Sequence, residues 1–230
     1  MDATKWEKPW CDPGMMLEFL QEKVSKRKLQ LFACACCRRI LHLIEKESYE
    51  VALETLEQVA DRQAPQVRLK AFRGPVPSQA INSAYYAAQA VRQAVKERSW
   101  DWIAARGAAC DSGEAVWAAA LSSAAGGTDL EARRLASKAK KTEHAAQAEL
   151  VRCIFGNPFR PATLDPTWQT SAVVSLAQAI YNDYAFERLP LLADALEDAG
   201  CHHEDILAHC RGPGPHVRGC WVVDLLLEKS

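Results

Sequence analysis

The chain has 230 residues, of which 49% are hydrophobic and 25% are charged, and its formal net charge is -1. These values are those of an ordinary globular protein, and the near-neutral charge excludes a global electrostatic attraction to nucleic acid or to anionic lipid. Because no apolar run reaches the roughly 18 residues of a membrane span and the polar N-terminus contains no secretory segment, we expect a cytoplasmic protein.

The first part of the chain has the apolar periodicity of helices. A short helix is predicted at 15–24, and Ser25 is the predicted N-cap of a second helix at 26–45. Ser48 is the predicted N-cap of a third helix, and the Gly-Pro-rich segment 74–77 should interrupt the helical pattern. We therefore expect three helices before residue 74.

The middle of the chain is rich in alanine, from residue 80 to residue 127. Alanine favours helix and lets helix backbones approach closely. Thr128 is the predicted N-cap of a long helix to about Phe155, with Glu131 completing a capping box. The four residues 138–141 carry three lysines, which we interpret as a solvated face.

The C-terminal part is also predicted to be helical, and no segment has the alternating pattern of a strand. The periodicity predicts helices at 171–184, with Thr170 as the N-cap, and at 189–199, 203–210 and 216–228. The Gly-Pro-rich link at 211–215 should join the last two as a helical hairpin. We predict an all-α fold, a compact bundle of about eight to ten helices, in a single domain over 1–230. Its candidate subdivisions are 1–74, 78–156 and 162–230.

Three parts of the sequence carry a resemblance to known proteins. They are residues 16–20 together with 27–39, residues 154–161, and residues 206–227. In these segments the chain resembles an uncharacterised family of helical proteins that occurs in many copies in planctomycete-type bacteria. The resemblance implies a shared domain whose two ends pack together. It implies no activity, cofactor or catalytic residue.

Seven of the fifteen cysteine and histidine residues lie between Cys201 and Cys220. Thiolate and imidazole are ligands of transition metals, and zinc is the commonest choice for such a set. His216 and Cys220 are four residues apart, so on a helix they would share a face. With His209 and Cys201 they form our candidate zinc site, with His202 as the alternative to Cys201, although the spacing matches no standard zinc pattern. The alternative interpretation is that the thiols are core residues and the histidines cap helix ends.

Three functions are compatible with this cluster. The first is a non-enzymatic helical interaction domain with a small structural zinc site and a protein partner. The second is a metal-dependent enzyme, for which Glu204 and Asp205 are the candidate general bases. The third is a nucleic-acid-binding helical hairpin, but Pro213 and Pro215 lack the N–H groups that such a turn directs to phosphate. We favour the first function and expect neither a nucleic-acid partner nor a membrane.

A second group of thiols lies in the predicted helix at 26–45. Cys34, Cys36 and Cys37 are close in sequence to Arg38 and Arg39, and nearby cations can make a thiol reactive. No histidine lies at a helical spacing that would supply a base to these thiols. We therefore interpret them as buried and unreactive; the alternative is that Cys36 or Cys37 joins the C-terminal cluster.

Overall fold

The computed structural model describes residues 1–44, 47–72, 83–95, 102–124 and 128–229. The all-α prediction is confirmed, since these ranges contain eleven α-helices and no strand. No helix in these ranges combines the length and the hydropathy that crossing a membrane would require.

Contacts divide the chain into two compact units, Met1–Ala148 and Glu149–Ser230. Of the predicted subdivisions, the boundary between residues 74 and 78 lies outside the described residues. The single domain and the packing of the two chain ends both stay predictions.

Seven of the α-helices lie wholly or mainly in the first unit. Its helices are α1 (Ala3–Trp6), α2 (Pro13–Leu20), α3 (Lys26–Arg39), α4 (Glu47–Ala60), α5 (Ser83–Ala94), α6 (Trp102–Ser123) and the larger part of α7 (Asp129–Phe155). Two predicted N-caps are confirmed: the Ser25 side chain accepts a hydrogen bond from the Lys28 N–H, and Thr128 and Glu131 bond to each other as a capping box. The predicted N-cap at Ser48 is wrong, because α4 already includes Glu47.

Helix α3 is shorter than its sequence predicts. It ends at Arg39, and the chain continues as a 3-10 turn at Leu41–Leu43, so the predicted helix end near residue 45 is wrong. The Ile40 N–H bonds to the Cys37 carbonyl at 3.1 Å, which tightens the last turn and stops the α-helical ladder. The predicted break at 74–77 lies outside the described residues.

The thiols of α3 are buried in the core of the first unit. Cys34, Cys36 and Cys37 are each at most 1% exposed, and burial raises the pKa of all three thiols. The neighbouring arginines are engaged elsewhere, because Arg38 and Arg39 each form a two-pronged ion pair with a buried glutamate. A thiol in this setting is a core residue and not a nucleophile.

The second unit continues from the end of α7 through four further helices. They are α8 (Ser171–Asp183), α9 (Leu189–Asp198), α10 (Glu204–Arg211) and α11 (Trp221–Leu226). The apolar faces of these helices form one buried cluster, which includes Val173, Ile180, Leu189, Leu192, Leu196, Ile206, Val222 and Val223. The predicted N-cap of α8 is confirmed, since Thr170 accepts a hydrogen bond from the Val173 N–H at 3.3 Å.

The last helix begins later than the apolar pattern suggests. A helix from residue 216 was predicted, but α11 begins at Trp221, so residues 212–220 form a non-helical link. Gly214 and Gly219 in this link have φ angles of +84° and +92°, which end any right-handed helix through them. His216 and Cys220 therefore do not share a helix face, and the link must bring them together in another way.

Candidate metal centre

Four side chains of the second unit converge on one point. Cys153 lies in the last turn of α7 and His209 in the last turn of α10, whereas His216 and Cys220 belong to the link at 212–220. Their ligand atoms are two thiol sulfurs and two imidazole nitrogens, which all lie within 4.8 Å of one another. The elements that carry them are held by the buried apolar cluster of this unit, so the four side chains meet as a consequence of helix packing.

The distances between the ligand atoms are close to those of a tetrahedral site. The Nε2 atom of His209 is 3.2 Å from the Cys220 sulfur, and the Nδ1 atom of His216 is 3.9 Å from the Cys153 sulfur. Zinc bonds of 2.0–2.3 Å in a tetrahedron would separate ligand atoms by about 3.3–3.8 Å. Shifts of about 1 Å or less would therefore suffice for a common centre.

A backbone contact orients one of the two imidazoles. The Nε2 atom of His216 is 3.2 Å from the carbonyl oxygen of Gly212, and a carbonyl can only accept a hydrogen bond. The proton of a neutral ring is then on Nε2, and the lone pair on Nδ1 is directed to the ligand cluster. Hydrogen bonds of this kind set the tautomer and orientation of metal-binding histidines.

An indole ring lies over one side of the cluster. The ring of Trp221 is 5.4 Å from that of His209, measured between centroids, and it also packs against Gly156 just beyond α7. Gly156 has a φ angle of +70°, and a Cβ atom there would come within 3.3 Å of the indole. A glycine at this position lets the indole lie close to the end of the helix that carries Cys153.

The contacts within the cluster lower the pKa of one thiol and raise the pKa of one imidazole. Burial alone would raise the pKa of the Cys220 thiol, but hydrogen bonds from Cys153, His209 and His216 and the charge of His209 lower it well below its ordinary value. For His216, burial works to lower the pKa, but its contacts with Cys220 and Gly212 outweigh burial and raise it. A metal ion would take over the role of these protons as the positive partner of the thiolate.

The structure brings together three of the four predicted ligands, His209, His216 and Cys220. It does not bring Cys201 into the group, where Cys153 takes the fourth place. Cys201 follows the glycine that ends α9; it is buried, and its sulfur accepts a hydrogen bond from the backbone N–H of His203. The geometry of the chain after α9 thus directs this thiol into the core near Cys210.

Sequence spacing could not have identified Cys153. It lies 63 residues from His216, and only the packing of the end of α7 beside the link makes them neighbours. The sequence offered only an indirect indication of Cys153: it immediately precedes segment 154–161, which belongs to the same resemblance as 206–227.

The two candidate general bases lie in the first turn of α10. Asp205 forms an ion pair with Arg160 at 3.5 Å, and Glu204 is exposed.

Comparisons with protein-family models, with curated proteins and with solved structures find no match to this chain.

Proposed function

We propose that residues 149–230 bind one zinc ion through Cys153, His209, His216 and Cys220, and that this ion stabilises a non-enzymatic helical interaction domain. The observation that carries the proposal is the convergence of the four ligand atoms within 4.8 Å. Both sulfurs are buried, with Cys153 at 2% and Cys220 at 0% exposure, as expected for a site inside the fold.

The donor set favours zinc over other metals. Two thiolates neutralise the charge of a divalent ion, and two neutral imidazoles complete a tetrahedron, so that no net charge is buried. Sulfur and nitrogen donors exclude calcium and magnesium, which bind oxygen. Such Cys₂His₂ sets are typical of structural zinc sites.

Four protein ligands argue for a structural role and against catalysis. A catalytic zinc ion keeps one position for water or substrate, and this set leaves none. We therefore favour a domain whose folded surface binds a protein partner in the cytoplasm, and zinc would hold α7, α10 and the link together. The family resemblance adds no activity to this proposal.

The test is the metal content and stability of the full-length chain. Protein from zinc-supplemented cultures should contain close to one zinc ion per chain, measured by plasma mass spectrometry. Chelation should lower the melting temperature, because the metal binds the folded state and not the unfolded one. Cys153→Ala, His209→Ala and Cys220→Ala should each lose the metal.

Cys201→Ala and Cys210→Ala are matched controls, because both remove buried thiols of the same unit that lie outside the ligand group. They should keep the metal. Loss of zinc in Cys201→Ala and not in Cys153→Ala would show that the ligand set is wrong. A wild-type chain without zinc, whose melting does not respond to added zinc, would overturn the proposal.

A further inference from the structure

Arg218 lies in the link between two of the zinc ligands. It is two residues after His216 and two before Cys220, and its side chain is turned into the second unit, with 9% exposure. A buried guanidinium needs compensating contacts, since burial removes it from water. Its contacts therefore decide where this part of the link lies.

Two of those contacts are with the tyrosines at the end of α8. The guanidinium carbon lies 4.6 Å from the ring centroid of Tyr181 and 4.9 Å from that of Tyr184. The guanidinium also donates a hydrogen bond to the Tyr184 hydroxyl. Cations within about 6 Å of an aromatic centroid are attracted to the ring, more strongly when they are removed from water.

The two tyrosines differ in burial. Tyr181 is 1% exposed in the core of the unit, whereas Tyr184, the C-cap of α8 in a left-handed conformation, is 45% exposed. Tyr181 is therefore the fixed part of this contact. The link has three glycines and makes no regular helix, so apart from Pro213 and Pro215, whose φ angles are fixed, its backbone has conformations to lose. One side chain that joins the link to α8 removes much of this freedom before a metal arrives.

We propose that Arg218 is a positioning residue of the zinc site, which anchors the link on Tyr181 and Tyr184 and so presents His216 and Cys220 to the metal. This inference rests on the proposed zinc site. It does not make Arg218 a ligand, because a guanidinium has no lone pair to offer. Its effect is on the affinity for metal and on the geometry of the two ligands that flank it.

The experiment measures zinc affinity in the full chain by competition with a chromophoric chelator. Arg218→Ala should weaken zinc binding by about 10–100-fold, the usual effect of losing a residue that orients metal ligands. Arg218→Lys should recover part of this loss, because it keeps the cation but not the planar hydrogen-bonding group. Tyr184→Phe should have a smaller effect, since it removes the hydroxyl and keeps the ring.

Lys229→Ala is the matched control. The Lys229 ammonium also lies 4.6 Å from the Tyr181 ring centroid, but this residue is outside the link. Its removal should leave zinc affinity unchanged within about twofold. The absorption of the cobalt-substituted chain gives a second measurement: Arg218→Ala should alter the tetrahedral cobalt bands even at saturation, and Lys229→Ala should not.

The outcomes separate this inference from the proposed function. If the wild-type chain binds zinc and Arg218→Ala binds it equally well with the same cobalt spectrum, the positioning role is overturned and the zinc site stands. If the wild-type chain binds no zinc, the site itself fails. If Arg218→Ala does not fold, Tyr184→Leu decides, and an unchanged affinity in that variant overturns the inference.

Discussion

The indole of Trp221 packs against the backbone of Gly156, so closely that a Cβ atom on the glycine would lie 3.3 Å from the indole Cγ. The glycine also has a positive φ angle of +70°. We expect Gly156→Ala to lower the free energy of unfolding by about 1–3 kcal/mol, because it combines backbone strain with a tight contact. Urea denaturation followed by circular dichroism measures this change.

Gly200→Ala separates the two causes. Gly200 has a φ angle of +86°, but nothing lies within 4 Å of a Cβ atom there, so only the strain applies. Gly200→Ala should lower the free energy of unfolding by less than Gly156→Ala does. Zinc affinity should change only in Gly156→Ala. An equal loss of unfolding free energy in both variants would mean that the indole moves aside and that its contact with Gly156 does not contribute to the loss.

Thiol labelling should distinguish the cysteines of this chain by burial. Iodoacetamide should modify the exposed Cys110 in the native protein and leave Cys36 and Cys37 unmodified, because burial excludes the reagent and raises the pKa of these two thiols. Cys220 should also stay unmodified in the native protein, because it is 0% exposed and burial excludes the reagent. Peptide mass spectrometry measures the extent of modification at each cysteine. Modification of Cys36 as fast as Cys110 would contradict the packing of α3.

The ion pair between Arg39 and Glu143 should stabilise the first unit much more than an exposed pair does. The Glu143 side chain is 6% exposed, and Arg39 meets both of its oxygens within 3.1 Å. Arg39→Ala would leave a buried carboxylate that, among the described residues, keeps a hydrogen bond from Gln147. We expect a loss of about 2–3 kcal/mol, less than for a fully buried pair because the arginine is partly solvated.

Arg133→Ala is the comparison for this loss. Arg133 pairs with Asp129 at 2.9 Å, but their side chains are 68% and 78% exposed. Its removal should cost less than about 0.5 kcal/mol. Denaturation midpoints of the two variants, measured together, give the difference, and similar costs would mean that water screens both pairs alike.

The stability of the chain should depend on pH through Asp111. Burial first, and the nearby Glu114 second, raise the pKa of this carboxyl from 3.8 to about 6. Between these values the folded chain holds the proton more tightly than the unfolded chain. The contribution of Asp111 to stability is therefore largest below about pH 4 and is lost as the pH rises through about 6.

Asp111→Asn tests this dependence, because it removes the titrating group and keeps the shape of the side chain. The variant should be more stable than the wild type at pH 7, and the two should converge near pH 4. Urea midpoints at a series of pH values give both curves. A constant difference between the curves from pH 4 to pH 7 would show that the carboxyl does not titrate in this window.

Local features of the fold could be predicted from sequence because their causes are local. The caps at Ser25, Thr128 and Thr170 each depend on a side chain that reaches a backbone N–H three residues away. The end of α3 at Arg39 and the start of α11 at Trp221 could not be predicted from such local signals. There the apolar pattern continues beyond the helix, while the backbone turns for reasons that periodicity does not record.

Only part of the candidate site could be predicted from sequence, for the same reason. His209, His216 and Cys220 could be grouped because a short stretch of chain carries them all. Cys153 could not, because its place depends on how α7 packs in the second unit. The predicted route was also wrong in one respect: a non-helical link, and not a shared helix face, brings His216 and Cys220 together.

The spacing of the ligands along the chain sets an order in which they can be recruited. His209 and Cys220 are separated by 11 residues, whereas Cys153 and His216 are separated by 63. Short loops close at a smaller entropic cost than long ones. We expect a zinc ion to be captured first by the three ligands of the C-terminal stretch, in a partly folded chain. The end of α7 would then arrive last, and the metal would act as a template on which the helices of this unit assemble.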